Sequence, residues 1–283
     1  MKQIVVISGK GGTGKSVLTA SFAALAKNKV MADCDVDAAD LHLLLHPSVK
    51  ERHEFKSGKT AKLDKKLCNR CGKCAVICRF DAIHDDLSID PVSCEGCGLC
   101  SLICPVGAIT MKENIAGEWF VSDTKYGPFV HAKLGIAEEN SGKLVAKVRQ
   151  VSKEIAEKKG LNFVIIDGPP GIGCPVIASI AGVDRALIVT EPTLSGLHDA
   201  KRVAEVCAHF KVPARLVINK YDLNEDISGE IGLYCADNNI ELVGKIPFDR
   251  SVVEALVRGR TAVEDASEKV RSAIKDIWQK ISI

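Results

Sequence analysis

Two sets of residues in this 283-residue chain have the types and spacing to do chemistry. The first is Gly9-Lys10-Gly11-Gly12-Thr13-Gly14-Lys15-Ser16, which fits G-x-x-x-x-G-K-[ST]. In such a loop the glycines let backbone N–H groups turn inward around phosphate oxygens. The lysine reaches the β- and γ-phosphates, and the hydroxyl after it ligates Mg²⁺. The second set is eight cysteines in two runs, Cys68-x2-Cys71-x2-Cys74-x3-Cys78 and Cys94-x2-Cys97-x2-Cys100-x3-Cys104-Pro105. Thiolates two residues apart can wrap three corners of one iron–sulfur cubane. Structural zinc sites use two separated pairs instead of a run of four. A disulfide framework belongs to exported chains, and Lys2 followed at once by Ile4–Ile7 and glycines does not read as a signal peptide.

These residues need elements to position them. Ile4–Ile7, Val30–Ala32, Phe163–Ile166, Ala186–Val189, Leu216–Ile218 and Leu242–Ile246 are short apolar runs of the kind that form strands buried on both faces. Between them, Val17–Ala26, Leu144–Lys159, Leu197–Phe210 and Ser251–Val257 repeat apolar residues at helical spacing. Strands alternating with helices predict a doubly wound, mostly parallel α/β sheet. The middle of the chain breaks this rhythm. Residues 63–83 and 89–109 form an internal repeat of period 26, with all four cysteines of each copy in register. The expected organisation is therefore an α/β domain over 1–60 and 113–283, interrupted by a small α+β domain over 61–112.

The glycine-rich loop, with strand before and helix after, resembles the deviant Walker A loop of the MinD/ParA/Mrp superfamily of P-loop ATPases, which also contains the nitrogenase iron protein. Its mark is an early second lysine, here Lys10. The resemblance implies ATP and Mg²⁺ as ligands and an ATPase activity that is slow without a partner. It also implies a homodimer with nucleotide sandwiched between subunits, in which Lys10 reaches the partner's phosphates and neutralises charge in the transition state. Asp33-Cys34-Asp35 resembles the family's switch I, with Asp35 matching the aspartate that orients the attacking water. Asp37 and Asp40 are nearby acids without an assigned role. Phe163–Gly171 resembles the Walker B strand and switch II, where Asp167 would hold the Mg²⁺ shell and the Gly168 N–H would meet the γ-phosphate. Val217–Lys220 and Ile246–Asp249 resemble the base-side loops, implying Asn219 and Pro247 as base contacts. Lys220 and Asp222 also fit a guanine-type N-K-x-D, but the phosphate loop resembles that of an ATPase family, which implies ATP.

The cysteine runs resemble bacterial ferredoxin signatures, in which the fourth cysteine of each run ligates the other cluster. The resemblance implies two [4Fe–4S] clusters, one on Cys68, Cys71, Cys74 and Cys104, the other on Cys94, Cys97, Cys100 and Cys78. Arg79 stands where Pro105 stands in the second copy.

The functional expectation is an ATPase whose nucleotide-driven dimer cycle is coupled to electron transfer with a redox or Fe–S client protein. The alternative is an ATP-regulated carrier or positioning module whose clusters are structural or redox-sensing. The net charge of +2 gives no nucleic-acid footprint. The C-terminal stripe Val270, Ile274, Ile277, Trp278 and Ile281 has a mixed polar face, so core packing is expected in place of membrane binding. Cytoplasmic localisation is the default. Cys174, placed like a cluster ligand of the nitrogenase iron protein but without a second cysteine to match, is expected to be a buried inert thiol. Cys34, Cys207 and Cys235 are expected to be structural.

Overall fold

The computed structural model describes residues 1–135 and 141–283. The β-branched run behind Met1 forms β1 (Lys2–Ser8). The other strands are β2 (Lys29–Asp33), β3 (Ser48–Leu63), β4 (Ile109–Thr124), β5 (Gly127–Leu134), β6 (Phe163–Pro170), β7 (Arg185–Thr190), β8 (Ala214–Asn219) and β9 (Glu241–Ile246). They make one sheet in the order β3-β4-β5-β2-β6-β1-β7-β8-β9. Its centre is parallel: β1 pairs with β6 and β7, β2 with β5 and β6, and β8 with β7 and β9. β1 and β2 are buried on both faces, which explains why their sequences read as unbroken apolar runs. Because β1, β2 and β6 are parallel neighbours, the loops that follow them open at the same edge, where α/β sheets bind ligands.

The helices Lys15–Leu25, Ser141–Lys159, Leu194–His209 and Arg250–Val257 occupy the stretches read as helical. The C-terminal stripe lies on the helix Glu268–Ser282, where Val270, Ile274, Ile277 and Ile281 are buried in the core. A Cβ on Gly244 of β9 would sit 2.5 Å from Ile277, so the glycine allows this close helix–strand contact. Trp278 packs on Phe22 with ring centroids 5.2 Å apart.

The strands β3, β4 and β5 were not anticipated. β3 reads SVKERHEFKSGKTAKL and is mostly exposed, so it lacks the apolar run that marks its central neighbours. It lies at the sheet's edge, where charged residues oppose pairing with another chain.

The chain divides into two compact units. One comprises Met1–Arg52, Trp119–Lys133 and Ser141–Ile283; the other is built on His53–Glu118, and Leu134 and Gly135 also belong to it. The second unit carries the repeat, and its backbone repeats with the sequence. Arg70 and Gly96, Gly72 and Gly98, and Asp81 and Gly107 are pairs 26 residues apart, and all six have positive φ. Gly72 and Gly98 each precede a short helix, Lys73–Ile77 and Leu99–Leu102. The small core there gathers Ala61, Ile83, Cys100 and Ile109.

Candidate functional site

The loop after β1 turns on Gly12 and Gly14, both with positive φ, and delivers Lys15 to the first turn of its helix. Two contacts restrict the loop. A Cβ on Gly9 would meet Asp199 at 2.3 Å, and one on Gly14 would meet Asn219 at 2.4 Å. Asn219, at the end of β8, donates its side-chain amide to the Thr13 carbonyl at 2.8 Å. Gly168, which follows Asp167, is buried against Ile7, where a Cβ would stand 2.6 Å from the methyl.

Lys15, Asp35 and Asp167 meet at the edge onto which β1, β2 and β6 open. Lys15 Nζ lies 3.2 Å from Asp35 Oδ2 and 3.2 Å from Asp167 Oδ1. Ser16 Oγ is 3.4 Å from the same ammonium. Burial works against the Lys15 charge, but Asp167, Asp35 and Asp33 outweigh it and raise its pKa. Burial pushes the Asp33 carboxyl well above the carboxylate range, and the neighbouring Asp167 adds to it. Asp35 is also raised by burial, against the pull of Lys15. Three buried polar atoms here have no protein partner: Thr13 Oγ1, Asp33 Oδ2 and Asp167 Oδ2.

Thr19 was not singled out by sequence, yet its hydroxyl donates to Asp167 Oδ1 at 3.0 Å. It sits one helical turn after Lys15 on the same face, which is the signal that could have found it. Asp33, noted only as part of the switch I motif, accepts the Asp35 amide at 3.1 Å and so shapes that loop. Lys10 is not drawn into this cluster. Its ammonium donates to Ser195 Oγ at 3.1 Å, in the first turn of the helix after β7, and to Oγ1 of that helix's N-cap Thr193 at 3.4 Å. Asp37 and Asp40 are exposed.

Beside the loop is a cavity of about 210 Å³ lined by Gly12, Gly14, Asn219, Lys220, Ile246 and Leu256 among others. Pro247 is buried next to it without lining it. Lys220 pairs with Glu191 at 2.5 Å, and Asp222 Oδ1 accepts the Phe248 amide at 2.7 Å.

In the second unit the eight cysteines line two cavities. Cys68, Cys71, Cys74 and Cys104 line one; Cys78, Cys94, Cys97 and Cys100 line the other. The second is roomy, about 270 Å³, and the first is tight, about 10 Å³. All eight are free thiols. Amides aim at three of the sulfurs, from Arg70 to Cys68, Ala61 to Cys94 and Ala108 to Cys104. Backbone N–H groups of Val106 and Ala108 hold the Cys104 thiol below its ordinary range, while burial raises Cys74 and Cys100. Among the described residues, no three or more His, Cys, Asp or Glu side chains stand close enough to hold a single metal ion.

Cys174 corrects an expectation: it is exposed. It opens the helix Cys174–Ile180, whose buried side is Val176, Ser179 and Ile180, and position 174 falls off that stripe. Cys34, Cys207 and Cys235 are buried. No helix among the described residues is long and apolar enough to cross a membrane.

A mostly parallel sheet with a G-x-x-x-x-G-K-S loop between its central strand and a helix, and two acids at neighbouring strand ends, defines a P-loop ATPase. The chain belongs to the CobQ/CobB/MinD/ParA nucleotide binding domain family, whose model matches residues 4–262. It is 35% identical over 282 residues to an uncharacterized protein of Methanocaldococcus jannaschii, covering 99% of this chain and 96% of that one. It is 26% identical over 167 residues to the septum site-determining protein MinD of Bacillus subtilis, covering 57% of this chain and 62% of that one. In fold it is similar to the MinD cell division protein of Aquifex aeolicus, with a TM-score of 0.58 at 19% identity over 99% of this chain and 97% of that one. The Pyrococcus horikoshii MinD solved with Mg-ADP gives 0.58 at 18%, over 99% and 95%.

Proposed function

We propose that this chain is an ATP-driven iron–sulfur protein in which a nucleotide-dependent homodimer cycle governs electron transfer through two [4Fe–4S] clusters. The observation that carries this reading is the sorting of eight thiols into two cavities of four. In each cavity three come from one run and the fourth from the other, the crossed pattern of bacterial ferredoxins. The donor chemistry fits, since the thiols are free and three of their sulfurs receive backbone amides. The outer corners of a cubane stand further apart than the ligands of one ion, so the lack of single-ion spacing is compatible with it. When bound, the clusters would supply one-electron redox chemistry. In this reading residues 61–112 are a ferredoxin-like domain set within the ATPase domain of 1–60 and 113–283.

At the nucleotide site Lys15 would exchange its carboxylate partners for the β- and γ-phosphates. Ser16 and Asp167 would hold Mg²⁺ and its water shell, which agrees with an Asp167 oxygen that has no protein partner. Asp35 would orient the attacking water. Lys10, free of the Lys15 cluster, would swing from Ser195 to the nucleotide of a second copy. The apolar cavity beside Asn219 suits a purine, and Asp222 already spends an oxygen on the Phe248 amide, which favours adenine over guanine recognition.

Anaerobically purified protein is expected to hold about eight irons and about eight acid-labile sulfides per chain. A count well short of that overturns the cluster assignment. The likeness to MinD favours a second reading, an ATP-regulated positioning or Fe–S delivery module; transfer of intact clusters to an apo-ferredoxin would support delivery.

A further inference from the structure

The two copies of the repeat share a backbone but not a charge. Residues 63–83 contain five basic residues and two acids, whereas 89–109 contain two acids and no base. At the five positions matching Lys65, Lys66, Arg70, Lys73 and Arg79, the second copy has Pro91, Val92, Gly96, Leu99 and Pro105. The fold therefore does not need these charges, because the second copy makes the same turns and the same short helix without them. Arg70 makes the point most sharply. It adopts φ 58°, the left-handed region its counterpart Gly96 occupies at φ 65°. A side chain there strains the backbone, and glycine would relieve it.

Four of the five lie close together in sequence, Lys65, Lys66 and Arg70 in the loop after β3 and Lys73 opening the short helix that follows it. Lys65, Lys66, Arg70 and Lys73 surround Cys68 and Cys71 in sequence, and all four are exposed. Lys73 itself lines the cavity of Cys68, Cys71, Cys74 and Cys104. None of the four forms a salt bridge among the described residues. Between and beside them stand two apolar side chains, Leu67 at 56% and Val76 at 89% exposure. Exposed apolar side chains among basic ones that form no salt bridge are a composition that suits a transient protein interface. Arg79 lies apart, on the other cavity, with Glu95.

We infer that this segment is the docking surface for a small acidic one-electron carrier protein, and that electrons enter or leave through the cavity of Cys68, Cys71, Cys74 and Cys104. The inference rests on the cluster reading above. One electron passes between the carrier's redox centre and the group those four thiols hold. One partner is oxidised and the other reduced, and no bond is made or broken. Charge complementarity would speed encounter and set orientation without tight binding, as a carrier that must leave requires.

The test uses the iron-loaded full chain and an acidic plant-type [2Fe–2S] ferredoxin as probe, with affinity measured by anaerobic calorimetry over a range of salt. Binding is expected to weaken steeply with salt. A variant combining Lys65→Gln, Lys66→Gln, Arg70→Gly and Lys73→Gln is expected to bind at least about tenfold more weakly with a flatter salt dependence, while its iron content stays at the parent level. Lys158→Gln, an exposed charge on the helix Ser141–Lys159, leaves affinity unchanged. The inference is overturned if the fourfold variant binds as the parent does. It is also overturned if basic cytochrome c binds better than the ferredoxin, or if duplex DNA or anionic vesicles bind this segment and the ferredoxin does not. Protein that purifies without iron overturns the cluster reading and this inference with it; loaded protein that fails the binding test overturns the docking surface alone.

Discussion

Lys15 Nζ stands 3.2 Å from Asp167 Oδ1, with the aspartate side chain 1% exposed and the lysine 7%. The glycine-rich loop and the acid at the end of β6 are thus joined by a buried ion pair, and Asp35 completes it from the end of β2. Burying a lone charge costs far more than burying a paired one. Lys15→Met is therefore expected to abolish ATPase activity and also to destabilise the fold, by about 3 kcal/mol in denaturant titration at pH 7. Because burial raises Asp33 and Asp35 in the folded state, that deficit is expected to shrink as pH falls and the carboxyls protonate. A variant as stable as the parent at pH 7 would contradict the pairing.

Lys10 presents the opposite case. Its bonds to Ser195 and Thr193 are to neutral hydroxyls near the surface, so losing them costs little. Lys10→Ala is expected to keep its melting temperature and its affinity for ADP while ATP turnover falls at least about a hundredfold, as for loss of a trans-acting cation. Mixing it with an Asp35→Ala chain, itself expected to be hydrolysis-deficient, is expected to restore some turnover, because the Asp35→Ala subunit would supply Lys10 to the intact site of the other. Absence of any recovery would place Lys10 in its own subunit's site.

These two lysines show where the sequence was readable. Lys15, Asp35 and Asp167 were legible because each follows a short buried strand, and parallel pairing of those strands brings their ends together. Three thiols of each set were legible from their spacing, and the fourth only from the resemblance to bacterial ferredoxin signatures, because it comes from the other run. β3 and β4 were not, since edge strands with polar sequences lack the apolar signal. Nor was the Ser195 contact of Lys10, which joins residues 185 positions apart through side chains with many alternative partners. Cys174 was misjudged because a small helix buries only one stripe, and its phase follows from tertiary packing.

His131 on β5 offers a pH test of the nucleotide-binding unit. Its ring stacks on Phe129 with centroids 4.6 Å apart and on Phe120 at 4.9 Å, and Nε2 lies 3.1 Å from Ser122 Oγ. Burial holds its pKa down at about 4, with His42 adding to the effect, against about 6.5 in an unfolded chain. The folded state therefore prefers the neutral ring, and the unfolded chain takes up the proton first. The stability this contributes is complete above about pH 6.5 and is lost as pH falls towards 4. His131→Phe is expected to lose less melting temperature than the parent across that window, by at least about 2 °C. Parallel pH curves for the two chains would show that the ring is not held neutral.

We propose that nucleotide state reaches the cysteine module. An EPR-monitored redox titration of the iron-loaded protein, run once with Mg-ADP and once with a non-hydrolysable ATP analogue, tests it most directly. At least one midpoint potential is expected to differ between the two states, as when protein rearrangement changes the charge or exposure around a cluster. Superimposable titrations, with both nucleotides shown to be bound, would contradict it.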